Sequence, residues 1–219
     1  MMIHVYIADI ANLPDPMQNP SLMEGLPEHR KEKIMRYKME KDRKQSLGAG
    51  LLLREVLLRH GVVGREMTYG ENGKPQMEGF YFNLSHSDGM VLCAAGDSEV
   101  GCDVEKIKRE PRGLVRHFFC DSEIAYLEQF YGADREREFF RLWTMKESYM
   151  KMTGEGMRLS LKQFELILGD KVSVRRAGHD VSCFFREYEI PGYRVCVCAK
   201  EKNFSEQIEY ICIPALKTV

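Results

Sequence analysis

Val91-Leu92-Cys93-Ala94-Ala95 and Val195-Cys196-Val197-Cys198-Ala199 are the two stretches on which the fold turns. Both are short apolar runs, small and sulfur-bearing, and both read as the second strand of a hairpin. The first is preceded by a strand over 80–84 across Ser85-His86-Ser87-Asp88-Gly89, and the second by a strand over 182–190 across Pro191-Gly192. A helical region leads into each hairpin. The same order met twice predicts a duplicated α+β unit with its active site between the halves. Hairpins of apolar strands resemble one another in any case, so unrelated halves stay open as the alternative.

Working outward, residues 3–10 form an opening strand, followed by a loop carrying Pro14, Pro16 and Pro20. Residues 27–37 read as a highly charged helix, and 45–60 as a Leu-rich one stopped by Gly61. A turn over 69–75 precedes the first hairpin, and a strand over 99–105 follows it, succeeded by a solvated connection over 106–111. Two helices come next, one with Asp121 as N-cap and one over 134–152 ended by Thr153-Gly154-Glu155-Gly156. Strands over 164–168 and 208–213 complete the reading.

The 219 residues are 44% hydrophobic, enough for a sizeable core, and 32 Lys and Arg against 33 Asp and Glu give a net charge of -1. Nucleic acid or membrane binding by overall charge is thereby excluded. Seven scattered cysteines without a C-x-x-C read as free thiols in a reducing compartment, and no targeting or membrane-spanning segment is seen, so a cytoplasmic location is expected.

Chemistry concentrates in four places. In Gly101-Cys102-Asp103-Val104-Glu105-Lys106 the period of two puts Asp103 and Glu105 on one face, where they are either solvated or share a hard cation such as Mg²⁺. In 139–151, Trp143, Glu147 and Lys151 follow at i, i+4 and i+8 on one helix face, which suits an ordinary amphipathic helix as well as a functional one. Asn83-Leu84-Ser85-His86-Ser87 offers donors; adjacent Ser85 and His86 on a strand face opposite ways, which rejects a nucleophile–base dyad, but in a turn both can donate to one anion. The run Arg30 to Lys44, mixed with acids, is a solvated helix face or in part a phosphate grip.

These pieces occur together with Asn72-Gly73-Lys74-Pro75 and Phe118-Phe119 to Glu123, and in that order the chain resembles the Sfp-type 4′-phosphopantetheinyl transferases over about residues 1–200. The resemblance implies an α+β pseudo-duplicated fold, with subdomains at 1–100 and 101–219 and the active site between them. It implies phosphopantetheine transfer from coenzyme A to a serine of an acyl or peptidyl carrier protein, releasing adenosine 3′,5′-bisphosphate. By the same resemblance Asp103, Glu105 and Glu147 are the Mg²⁺ ligands and Lys151 contacts the phosphates. Lys33, Lys44, Lys74, Ser85 and His86 are coenzyme A contacts. The serine proton goes to Glu147, directly or through a bound water, with Glu123 as an alternative base or water-holding ligand. A chain carrying both halves of such a site is expected to act as a monomer. Two other readings remain: a non-catalytic module binding through the basic helix near 30–44, and another Mg²⁺-dependent enzyme acting on a nucleotide diphosphate.

Overall fold

The computed structural model describes residues 2–62, 64–111 and 113–213, leaving aside the Met157 side chain. The first half runs β1 (His4–Asp9), α1 (Glu28–Arg36), α2 (Glu40–Arg59), the short β2 (Thr68–Tyr69) and β3 (Pro75–Gln76), then β4 (Tyr81–Ser87) and β5 (Met90–Gly96). The second runs β6 (Val100–Lys106), α3 (Leu114–Phe118), α4 (Asp121–Leu127), α5 (Gly132–Thr153), β7 (Phe164–Ile167), β8 (Ser173–Arg176), β9 (His179–Val181), β10 (Phe184–Ile190) and β11 (Tyr193–Ala199), and ends in β12 (Glu209–Tyr210).

The two main sheets have the same plan. In one the order is β12-β1-β5-β4 and in the other β10-β11-β6. In both, the strand before the helices pairs antiparallel with the second strand of the hairpin, which pairs antiparallel with the first. The runs quoted at the outset are therefore the central strands. Their small residues follow from burial on two faces. Val91, Cys93 and Ala95 join Leu47, Leu51 and Leu52 in a core under α2, and Cys196 and Cys198 join Met145, Tyr149 and Met152 in a core under α5. The alternate residues Leu92, Ala94, Val195, Val197 and Ala199 meet in a third core between the sheets. Burying each such Val or Leu stabilises by about 1.5–3 kcal/mol.

Several boundaries differ from expectation. Helix α2 begins at Glu40, because Arg43 turns inward to bond Asp15 and the Tyr37 and Lys38 carbonyls. Ser85-His86-Ser87 is not a turn: all three pair with β5, and only Asp88 and Gly89, both at positive φ, make the reversal. Asp-Gly is the dipeptide such a two-residue turn prefers. The N-cap before α4 is Cys120, not Asp121. Helix α3 and the strands β8 and β9 were not anticipated; α3 is a single short helix, and β8 and β9 form a tight hairpin that extends β7. No described helix is long and apolar enough to cross a membrane.

Candidate active site in the cleft between the halves

Strand β6 is where the halves meet. On one side it pairs with β11; on the other it lies beside β4. Asp103 and Glu105 project from it toward α5, as period two requires, and Asp103 is 3% exposed. Helix α5 approaches because residue 101 is glycine. A Cβ there would sit 2.8 Å from the Lys151 carbonyl carbon, and closer still to the Ser148 carbonyl oxygen and the Met152 amide nitrogen. That close approach sets Glu147 and Lys151 over the two β6 carboxylates. The helix ends as its sequence dictates, on Gly154 in the left-handed region.

Lys151 Nζ donates to Asp103 Oδ1 at 2.6 Å, to Ser85 Oγ at 3.1 Å and to the Cys102 carbonyl at 3.3 Å. Burial by itself lowers its pKa, but the charges of Asp103 and Glu147 outweigh that and hold the ammonium above its ordinary value. Asp103 Oδ2 is buried without a hydrogen-bond partner. Burial raises Glu105, and the Asp103 charge adds to this, against the hydrogen bond from Ser87. Glu147 is pushed up to about 7 by burial, opposed by Lys151 and reinforced by Asp103 and Glu105. Glu105 and Glu147, both raised in part by the neighbouring Asp103 charge, and an orphaned Asp103 oxygen form a hard-oxygen donor set short of positive charge. As they stand, no three acid, His or Cys side chains among the described residues converge on one ion.

Two lysines border the cleft, and a histidine stands on the far face of β4. Lys74 Nζ donates to the Val100 and Met152 carbonyls at 3.0 and 3.1 Å, and burial lowers its pKa. Lys74 and Lys151 line a cavity of about 180 Å³. A larger cavity of about 560 Å³ shares Gly73 and Pro75 with it and is lined by Arg30, Lys33 and Leu84. Arg30 Nη2 donates to the Ser46 carbonyl at 2.9 Å, while its buried Nε has no partner. His86 is exposed on the face of β4 opposite Ser85; desolvation, then the charges of Lys151 and Arg30, push its pKa down.

Models of two family regions match this chain: the 4′-phosphopantetheinyl transferase N-terminal region over residues 13–98 and the 4′-phosphopantetheinyl transferase superfamily over 99–198. The chain is 31% identical over 204 residues to the 4′-phosphopantetheinyl transferase ffp of Bacillus subtilis, covering 89% of this chain and 91% of that one. The chain belongs to the 4′-phosphopantetheinyl transferase family. It is also 34% identical to the transferase psf-1 of Bacillus pumilus, over 73% of this chain and 75% of that one. Among solved structures it is similar to a holo-(acyl-carrier-protein) synthase from Bacillus anthracis in complex with CoA (3′,5′-ADP), at 15% identity, with a TM-score of 0.41, over 47% of this chain and 94% of that one.

In this transferase the residues singled out from sequence do not all gather. Asp103, Glu105, Glu147, Lys151 and Ser85 come together, with Lys74 on the smaller cavity and Lys33 on the larger one; His86 lies on the opposite face of β4 and lines neither cavity. Ser85 is 5% exposed and bonded within the protein, so it faces the carboxylates. Lys44 bonds the Ala11 carbonyl at 3.4 Å and Glu40 at 3.6 Å, away from the cavity lining. Glu123, read as an alternative base, is 1% exposed with both oxygens in use. Oε1 accepts from Lys146 Nζ and Leu166 N, and Oε2 from Lys146 Nζ and Cys120 N. That is a structural ion pair in the C-terminal core. Trp143 likewise packs on Phe118 and Phe139, ring centroids 5.4 and 6.0 Å away. Arg30, part of the basic run but not singled out from it, lines the larger cavity. Its signal was its place one helical turn before Ile34, the only buried residue of α1, which puts it on the inner face of an otherwise solvated run.

Proposed function

We propose that this cleft moves the phosphopantetheine arm of coenzyme A onto a serine hydroxyl of an apo carrier protein, with adenosine 3′,5′-bisphosphate leaving. The observation that carries the reading is the buried, unpartnered Asp103 Oδ2 beside Glu105, Glu147 and the Lys151 ammonium.

Asp103, Glu105 and Glu147 would hold Mg²⁺, whose hard-oxygen preference they match. Bound there, the ion supplies positive charge to the diphosphate. Lys151 offsets charge on the leaving phosphate, and it is already held by carboxylates that keep it protonated. Glu147, directly or through a bound water, takes the proton from the attacking serine. Arg30 and Lys33, on the larger cavity, and His86, within electrostatic reach of Arg30, take the remaining phosphate of coenzyme A, where Arg30 Nε offers a free donor. Lys44 is left out of this set, being engaged elsewhere. The transferase works as a single chain in a reducing cytoplasm, since both halves of the cleft come from one polypeptide and its cysteines are all free thiols.

A binding module on the basic helix draws little support. Lys31 pairs with Glu28, Arg36 with Glu32, Lys41 with Asp88 and Lys44 with Glu40. The test is to incubate the protein with coenzyme A, Mg²⁺ and several apo acyl and peptidyl carriers and read each carrier's intact mass. A gain of one phosphopantetheine on at least one carrier is expected, and no gain on any overturns the reading. Asp103→Ala is expected to cut the rate by about 10²-fold or more, the scale on which removing one transition-state electrostatic contact acts, with an unchanged circular dichroism spectrum.

A further inference from the structure

β4 and β6 are joined along their facing edges by side chains. The Cys102 amide donates to Asn83 Oδ1 at 2.9 Å, the Val104 amide to Ser85 Oγ at 3.3 Å and the Lys106 amide to Ser87 Oγ at 3.2 Å. Each pair is 19 residues apart, so the register is constant and parallel. The carbonyls of that edge are met by lysines, Val100 by Lys74 and Cys102 by Lys151. Three amides and two carbonyls of an edge that backbone pairing leaves open are thus met by side chains.

The two serines do more than close the edge. A hydroxyl has one donor and two acceptor lone pairs, so after accepting from β6 it still has its proton to give. Ser85 gives it to Asp103 Oδ1 and Ser87 to Glu105 Oε2, both at 2.7 Å. Each serine therefore grips two consecutive residues of β6: the amide of one and the carboxylate of the residue before it. A carboxylate held this way has a fixed orientation relative to its own backbone. Alternation along β4 puts Asn83, Ser85 and Ser87 on this side and His86 on the other.

We infer that Ser87, and Ser85 by the same geometry, are positioning residues that aim the Glu105 and Asp103 carboxylates at a divalent cation. The inference rests on the metal reading proposed above. Outer partners of metal-binding carboxylates typically contribute about 10–100-fold in metal affinity.

Ser87 is the cleaner test, because Ser85 also touches Lys151. The full-length chain and its Ser87→Ala, Ser87→Cys and Ser87→Thr variants are titrated with Mn²⁺ in the presence of coenzyme A, free Mn²⁺ being read by electron paramagnetic resonance. Urea unfolding is recorded beside it. Ser87→Ala and Ser87→Cys are expected to bind Mn²⁺ about tenfold or more weakly, and Ser87→Thr, which keeps the hydroxyl, within about threefold of the parent. If Ser87→Ala does not fold, the near-isosteric Ser87→Cys decides. A folded Ala or Cys variant with parental Mn²⁺ affinity overturns the inference alone, as does failure of both to fold while Thr folds, which assigns the hydroxyl to the fold. A parent chain that takes up no Mn²⁺ overturns the metal reading itself, and the inference with it.

Discussion

Lys146 and Glu147 are neighbours on α5 and meet opposite fates. Lys146 is fully buried, and its three protons go to the two Glu123 oxygens and the Phe164 carbonyl, at 2.7, 2.8 and 2.9 Å. Glu147 faces the cleft with a pKa near neutrality. The difference is the roughly 100° between successive residues of a helix, which turns one side chain into the C-terminal core and the next toward β6. Breaking one side of a buried pair strands the other charge. Lys146→Ala is expected to lower the unfolding free energy by about 3–5 kcal/mol, read by urea titration. Sequence spacing was sufficient to place Trp143, Glu147 and Lys151 on a common face. It could not tell that Glu123 meets Lys146, because that pair depends on α4 packing beside α5, which no local pattern encodes.

At the scale of elements, the approach of α5 to β6 decides whether there is a site. Gly101 is the contact point, and backbone atoms rather than a pliable side chain occupy the space a Cβ needs. Gly101→Ala is expected to cost about 1–3 kcal/mol in stability and to weaken transfer as well, since relief comes only by moving the helix that carries Glu147 and Lys151; a thermal melt and the carrier mass assay together check this. A second contact, between the loop after β1 and α2, contributes to the acid sensitivity. Asp15 accepts from Arg43 Nε at 2.9 Å and Nη2 at 2.5 Å, and the Arg43 hydrogen bond holds its pKa at about 2. A carboxylate lowered on folding stabilises above its unfolded pKa near 4, and that contribution is lost as pH falls through the folded value. The urea midpoint is therefore expected to fall between about pH 4 and pH 2, and Asp15→Asn to flatten that part of the curve relative to its value at pH 6. Strand β6 and the ends of α2 and α5 were legible here from period and punctuation, with Gly61 and Gly154 both adopting positive φ at helix ends. The extent of β4 was not, since Ser-His-Ser reads as turn chemistry until β5 is seen to pair with it.

The whole molecule holds together through a crossing that the division into halves does not suggest. After β11 the chain returns to the first sheet, where β12 runs parallel to β1 and the Ile211 amide donates to the Ile7 carbonyl at 2.8 Å. Ile211 and Ile213 are buried in the core under α2, with residues of β1 and β5. Ile211→Ala is expected to destabilise by about 2–5 kcal/mol and to speed amide exchange in β1 more than in β11, measured by mass spectrometry. The remaining decisions divide by range. What the amino-acid sequence determined by itself was local: two helix-then-hairpin units, the shared face of Asp103 and Glu105, the helix stripe ending in Lys151, and a motif order resembling one family. Each depends on periodicity or turn preference over a few residues. What the tertiary structure decided was which edges and faces meet: β4 against β6 through Asn83, Ser85 and Ser87, Lys151 on Asp103, Arg30 in a cavity, and the C-terminal segment on β1. Those contacts join residues tens to hundreds of positions apart, and they are selected by burial and hydrogen-bond satisfaction over the whole chain, which short-range patterns do not carry.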